Sequence, residues 1–283
     1  MERRRGHRAA LAKKEGRVTP GPWLSLVLQA WLLVAVLMTL LWMLHFPLKN
    51  AAIVDVGWAL GLVLIAWLYA CLGPGYPLRK TLLAAMVGAW GLRLAIYLLF
   101  ARVIGQEEEG RYREIRRNWR TNVGRKFFLF FQFQALLDVF LSLPFLFVAL
   151  NPTPRISLLE WAGLGLAGVS ILGESLADWQ LHRFKSDPRN KGKTCQRGLW
   201  QYSRHPNYFF EWLIWCAYFL FALASPHGAI SILCPLLMLF FLFRVTGIPA
   251  TEAQALRSRG EEYRRYQKTT SAFIPWFPKK VGP

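Results

Sequence analysis

Arg204, His205, Asn207, Tyr208 and Glu211 stand within eight residues, in the run Gly198-Leu-Trp-Gln-Tyr-Ser-Arg-His-Pro-Asn-Tyr-Phe-Phe-Glu211. A guanidinium, an imidazole, an amide, a phenol and a carboxylate are the groups that hold polar ligands by charge and hydrogen bonds. Pro206 suits the first turn of a helix, where a missing N–H leaves nothing unpaired. On that helix Asn207 and Glu211 lie four apart and share a face. The chain then turns apolar as far as Leu223, so the cluster sits at the head of a membrane-type helix. Polar groups there are costly unless they have partners, which makes this stretch a candidate ligand site.

Other acids repeat the theme. Glu174 and Asp178 are four apart in an apolar setting, with His182 and Lys185 further along. They need cationic or hydroxyl partners, for which Arg197, Arg204 and His205 are candidates. A structural ion-pair cluster and a cofactor contact are both open readings. Asp55 lies early in an apolar stretch, as a proton donor or as the partner of Arg93, and pairing is the expected use. Asp138 is a similar lone acid. Tyr97 follows Arg93 by one turn. His205 has no second His or Cys at ligand spacing, so no metal site is expected. Cys71, Cys195, Cys216 and Cys234 form no C-x-x-C pair and are assigned no chemistry; three lie in or beside apolar segments, where a small buried hydrophobe is the default. Gly163, Gly165 and Gly168 match G-x-G-x-x-G, but inside an apolar span, where glycines serve close helix packing.

The elements that carry these residues are helices in a bilayer. The net charge of +19 would suit nucleic acid, but 54% of the 283 residues are hydrophobic, and they gather in runs of bilayer length with the cations between them. The pattern predicts an all-α polytopic membrane protein with about seven spans: 23–44, 51–72, 81–103, 127–150, 158–181, 207–223 and 229–245. Residues 1–20 read as a basic disordered tail and 21–283 as one membrane domain, whose half from about 157 to 283 holds the cofactor. A charged amphiphilic stretch covers 106–126, and a soluble amphipathic helix about 250–267. With seven spans the basic loops after the third and fifth helices share one side with the C-terminal tail, and the positive-inside rule makes that side cytoplasmic. The basic N-terminal tail then falls outside.

Those three basic segments interleave cations with Tyr112, Trp119, Trp200, Tyr202, Tyr263 and Tyr266. Arg forks match phosphate oxygens, and aromatic rings stack on bases. Such a mouth suits a nucleotide-containing cofactor or anionic lipid headgroups, not nucleic acid.

The run Gly198–Glu211 resembles the C-terminal domain of the steroid 5-alpha-reductase superfamily, and more closely its bacterial branch of unknown function. Asp178-Trp-Gln-Leu-His-Arg-Phe-Lys-Ser-Asp-Pro188, Gly247-Ile-Pro249 with Glu252, Glu261–Tyr266, Thr270–Trp276, Ile53–Trp58 and Trp90–Arg93 add to the resemblance. It implies an integral membrane protein of the bacterial inner membrane that takes NADPH from the cytoplasmic side and reduces an enone-type C=C bond of a lipophilic substrate. By the same resemblance Asp178, Asn207 and Glu211 hold the cofactor, with Tyr202, Arg204 and Tyr266 at the nucleotide. Glu174, Lys185, Arg197, His205, Tyr208 and Tyr263 complete the expected cofactor wall, and Asp55 and Tyr97 are the expected proton or carbonyl donors. Glu174, His182, Lys185 and Trp90 depart from the steroid enzymes' pattern. Arg204-His-Pro206 with Gly260, Tyr263 and Tyr266 is also similar to isoprenylcysteine carboxyl methyltransferases, which implies S-adenosylmethionine as the alternative cofactor.

Overall fold

The computed structural model describes residues 21–108, 110–245 and 247–279. The basic tail expected at 1–20 lies outside them. Of the described residues 79% are helical and none lies in a strand, so the all-α membrane class holds. Helix α1 is Pro22–Leu48, α2 Ile53–Leu72 and α3 Pro77–Leu98, the last continued by a π-turn, Leu99–Val103. A short helix α4, Gly110–Trp119, precedes α5, Val123–Leu141, and α6, Leu143–Leu150. Then come α7, Leu158–Ser186, and α8, Pro206–Ala222. Helix α9, Leu233–Phe240, is again followed by a π-turn, Phe241–Val245, before α10, Ile248–Arg259, and α11, Glu261–Thr269.

The count of seven spans is not met by length and composition. Among the described residues four helical segments are long and apolar enough: Trp23–Leu48, Ile53–Leu72, Pro77–Val103 and Gly228–Arg259. A fifth arises if α5 and α6 count as one span bent by 42°. That bend corrects the single helix expected over 127–150. Pro144 offers no N–H and its ring crowds the preceding turn, so the helix breaks at Ser142. The amphipathic helix expected over 250–267 is likewise two helices, broken at Gly260, whose φ of 55° an L side chain rarely adopts.

Helix α7 fails the apolar test because it carries Glu160, Glu174 and Asp178, yet these face inward and are buried. Its outer face, with Leu158, Trp161, Val169, Leu172 and Trp179, is exposed and apolar. It begins in a capping box: Ser157 Oγ accepts from the Glu160 N–H at 3.3 Å, and Glu160 Oε2 accepts from the Ser157 N–H at 2.7 Å. Buried Arg79 of α3 pairs with the same Glu160 and donates to the Thr153 carbonyl at 2.6 Å. Four turns further on, Arg93 of α3 pairs with Glu174 of α7. Fourteen residues separate the two cations and fourteen separate the two acids, so α3 and α7 run parallel and in register over roughly 21 Å. Helix α8 packs back along α7 where Gly163 has no side chain: a Cβ there would lie 3.0 Å from the Ala217 carbonyl oxygen. Gly165 and Gly168 have nothing within 4 Å, so only the first glycine of the G-x-G-x-x-G run serves packing.

Two ends result. Gly75 and Tyr76 donate backbone hydrogen bonds to Ala149 and Asn151 at one end. The other end gathers α4, the entry to α8, α10 and α11.

Candidate functional site

Asp178 and Glu174 project from α7 toward α3, each 4% exposed. The Arg93 guanidinium bridges them, 2.8 Å from Asp178 Oδ2 and in contact with Glu174. This overturns two expectations at once. The acids take their cation from α3, not from Arg197, Arg204 or His205, and Arg93 does not pair with Asp55. Register decides it, because Arg93 is carried to the level of Glu174 by the parallel packing of α3 on α7.

Asn207, at the start of α8, donates to Asp178 Oδ1 at 3.3 Å. One turn later Glu211 accepts from two indoles, Trp90 Nε1 at 2.8 Å and Trp215 Nε1 at 3.0 Å. It has indole donors but no cation in hydrogen-bond contact. Trp58, Trp90, Trp215 and Tyr218 pack around it, with three edge-on ring pairs at 5.6–5.8 Å.

Asp55 of α2 forms a second cluster. Arg102 Nη1 lies 2.9 Å from its Oδ2, and Arg111 Nη2 lies 3.4 Å from Oδ1. The Tyr112 hydroxyl donates to Oδ1 at 2.6 Å. Burial, with the Asp55 charge beside it, pushes the Tyr112 hydroxyl well above the phenol range, so it remains a donor. The π-turn after α3 slows the rotation of the chain and brings Arg102 to Asp55; such turns recur at functional sites.

A cavity of about 830 Å³ joins the two clusters, at the upper end of small-molecule sites. It is lined by Asp55, Tyr97, Glu174, Asp178, Asn207, Tyr208 and Glu211, all singled out in the sequence. Tyr97 has no hydrogen-bond partner among the described residues. Arg102, Arg111, Glu114, Gln254 and Arg257 also line the cavity and were not singled out as site residues. Arg111 and Glu114 belong to the charged stretch 106–126 and Gln254 and Arg257 to the amphipathic helix, both read as lying outside the membrane, while Arg102 sits at the end of the third expected span.

The other expected cofactor residues stand outside the cavity wall. Arg204 Nε binds Glu252 Oε1 at 2.7 Å, and its Nη1 donates to the Gln267 carbonyl at 3.0 Å. His205 Nε2 lies 3.2 Å from the same carboxylate oxygen. Tyr263 donates to Glu252, and Tyr266 to the carbonyls of Trp200 and Ser203. Burial raises both phenols, Tyr263 to about 12. This network fastens α10 and α11 across the entry to α8. Lys185 and Arg197 are exposed. The Tyr202 ring stands edge-on to Phe277.

Helices of membrane length make this an α-helical membrane protein, with a cavity lined by buried acids and by arginines. The chain belongs to DUF1295, described as a protein family of unknown function, whose model matches residues 41–270. That family is tied to the steroid 5-alpha-reductase-like superfamily. Neither the curated proteins nor the solved structures hold a match to the chain.

Proposed function

We propose that this protein is an NADPH-dependent membrane reductase that saturates an activated C=C bond of a lipophilic, carbonyl-bearing substrate. The observation that carries this reading is the single cavity joining Asp178, Asn207 and Glu211 on its inner wall with the unpartnered Tyr97 hydroxyl and an apolar flank. The donor set fits the cofactor. The Asp178 and Glu211 carboxylates accept from hydroxyl and amide groups, and Asn207 offers both roles. Arg102, Arg111 and Arg257 suit phosphate oxygens nearer the rim. Bound there, NADPH supplies a hydride to the β-carbon of the enone. Tyr97 donates a hydrogen bond to the substrate carbonyl and polarises it; Asp55, tied to Arg102 and Tyr112, can relay the proton that completes the α-carbon. The apolar wall keeps water out during transfer. The positive-inside rule puts this mouth in the cytoplasm.

A second reading has its own support. Glu174, Asp178 and Glu211 face one arginine, Arg93, and an acidic inner wall suits the sulfonium and ammonium groups of S-adenosylmethionine. The protein would then methylate a lipid or lipidated substrate. Mass spectrometry of small molecules co-purifying with the protein separates the two. NADP supports the reductase, and S-adenosyl compounds with no NADP sink it. In titrations with NADPH, Asp178→Asn and Asn207→Ala are each expected to weaken binding roughly tenfold or more, the loss of a charge-assisted hydrogen bond. Unchanged affinity in both removes the cofactor from this wall.

A further inference from the structure

We infer that the gap between α5 and α9 is a lateral portal through which the hydrocarbon chain of a bilayer lipid enters the cavity. This rests on the reading of the cavity as the reaction site, and it names the source and shape of the substrate: a chain-bearing lipid taken from within the membrane.

The two helices touch where α5 ends and α9 begins, with Cys234 Sγ 3.8 and 3.7 Å from the Phe140 and Leu141 carbonyl oxygens. Beyond that contact both elements line the cavity, α5 with residues before Leu141 and α9 with residues after Cys234. Phe133 and Leu137 face the cavity from α5; Met238 and the π-turn residues Phe241 and Val245 face it from α9. Phe133 and Val245 line the cavity and are still 55% and 51% exposed, and these two half-exposed side chains are assigned as the rim of the portal. Phe133 lies seven residues beyond Lys126 on α5, roughly 10 Å along the helix, which puts the opening at hydrocarbon depth. A headgroup or soluble metabolite does not cross there; an acyl or isoprenoid chain does so without desolvation cost. Gln134 on the same wall has no hydrogen bond among the described residues and can meet an ester, hydroxyl or carbonyl on the entering chain.

The test uses purified full-length protein in phosphatidylcholine vesicles containing a phospholipid with a diazirine midway along one acyl chain. After photolysis the labelled residues are mapped by peptide mass spectrometry. Labels on Leu137 and Met238, beside those on the outward residues Leu129 and Leu236, are the expected result. Labels confined to Leu129, Leu136, Leu236 and Phe240 overturn the portal. Val245→Trp, at the open rim, is expected to cut labelling of Leu137 and Met238 about tenfold by overfilling the gap. Its labelling of Leu129 and Leu236 should be unchanged, which reports an intact fold. Undiminished inner labelling in that variant rules out this entry route. A protein that fails to bind NADPH but labels Leu137 and Met238 sinks the reductase reading and leaves the portal standing.

Discussion

Arg93 is the residue on which most of the site depends. Its guanidinium satisfies two buried carboxylates on a neighbouring helix, and removing it strands both. Breaking a buried pair costs about 3–5 kcal/mol, because the remaining charge has no solvent to turn to. Arg93→Met is therefore expected to lower the thermal midpoint in detergent sharply. Arg93→Met combined with Glu174→Gln and Asp178→Asn should recover much of the loss, and absence of that recovery would show that the pairing is not the cause. Glu108 gives a second residue-scale test, through pH. Burial would raise its carboxyl, but hydrogen bonds from Arg116 and the Ala51 N–H outweigh it and hold the group below its ordinary value of 4.5. A group depressed in the folded state lends stability above its unfolded pKa and loses it as pH falls through the folded value. Unfolding scans between about pH 3 and pH 7 should show stability falling on the acid side, and Glu108→Gln should flatten that fall.

Short elements carry the cover of the cavity. Helix α4 brings Arg111 and Glu114, and α10 brings Thr251, Gln254 and Arg257. What anchors α10 and α11 is Glu252, which takes hydrogen bonds from Arg204, Tyr263 and Gln267 and meets His205. Glu252→Ala is expected to speed amide hydrogen exchange in 248–269 at least about tenfold while α2 and α3 keep their protection. Equal exchange in both proteins would mean that the helices are held by packing alone. This network also marks where sequence reading stops. The motif Arg204-His-Pro206 and Tyr263 with Tyr266 were legible as a linked set only through the family resemblance that joins them. Their use was not. Pattern shows that polar groups at a helix mouth need partners, but only the turn at Gly260 and the return of 270–276 past Ser203 decide that those partners are each other. That Asn207 and Glu211 share a face was legible from helical spacing, and the structure puts both, with Asp178, on the cavity wall.

Taken whole, the molecule is organised by sidedness. The loops at 73–76 and 149–151 meet at one end, and Arg102, Arg111 and Arg257 line the cavity at the other. A cysteine placed at Lys126 and one at Lys268 should both react with a membrane-impermeant maleimide from the same face of sealed vesicles, and one at Arg155 from the opposite face. Any other combination breaks the arrangement. The existence of membrane helices was plain from composition, but their number was not. Hydropathy counts residues one at a time, and α7 is apolar only on the face away from its partners.

That inward-facing charge on α7 bears on how the protein is made. Arg93 leaves the ribosome about eighty residues before Glu174 and Asp178 reach it, so for a time the nascent chain holds a cation at membrane depth with no acids to meet. Helix α7 in turn has no favourable path into lipid as a lone segment, since Glu174 and Asp178 would enter hydrocarbon without their cation. The insertion machinery must keep α3 within reach until α7 emerges, and the two then close along both charge contacts together. A chain truncated between α6 and α7 is expected to be cleared rapidly by membrane proteolysis, while one ending after α8 survives, a difference that pulse–chase labelling reads directly.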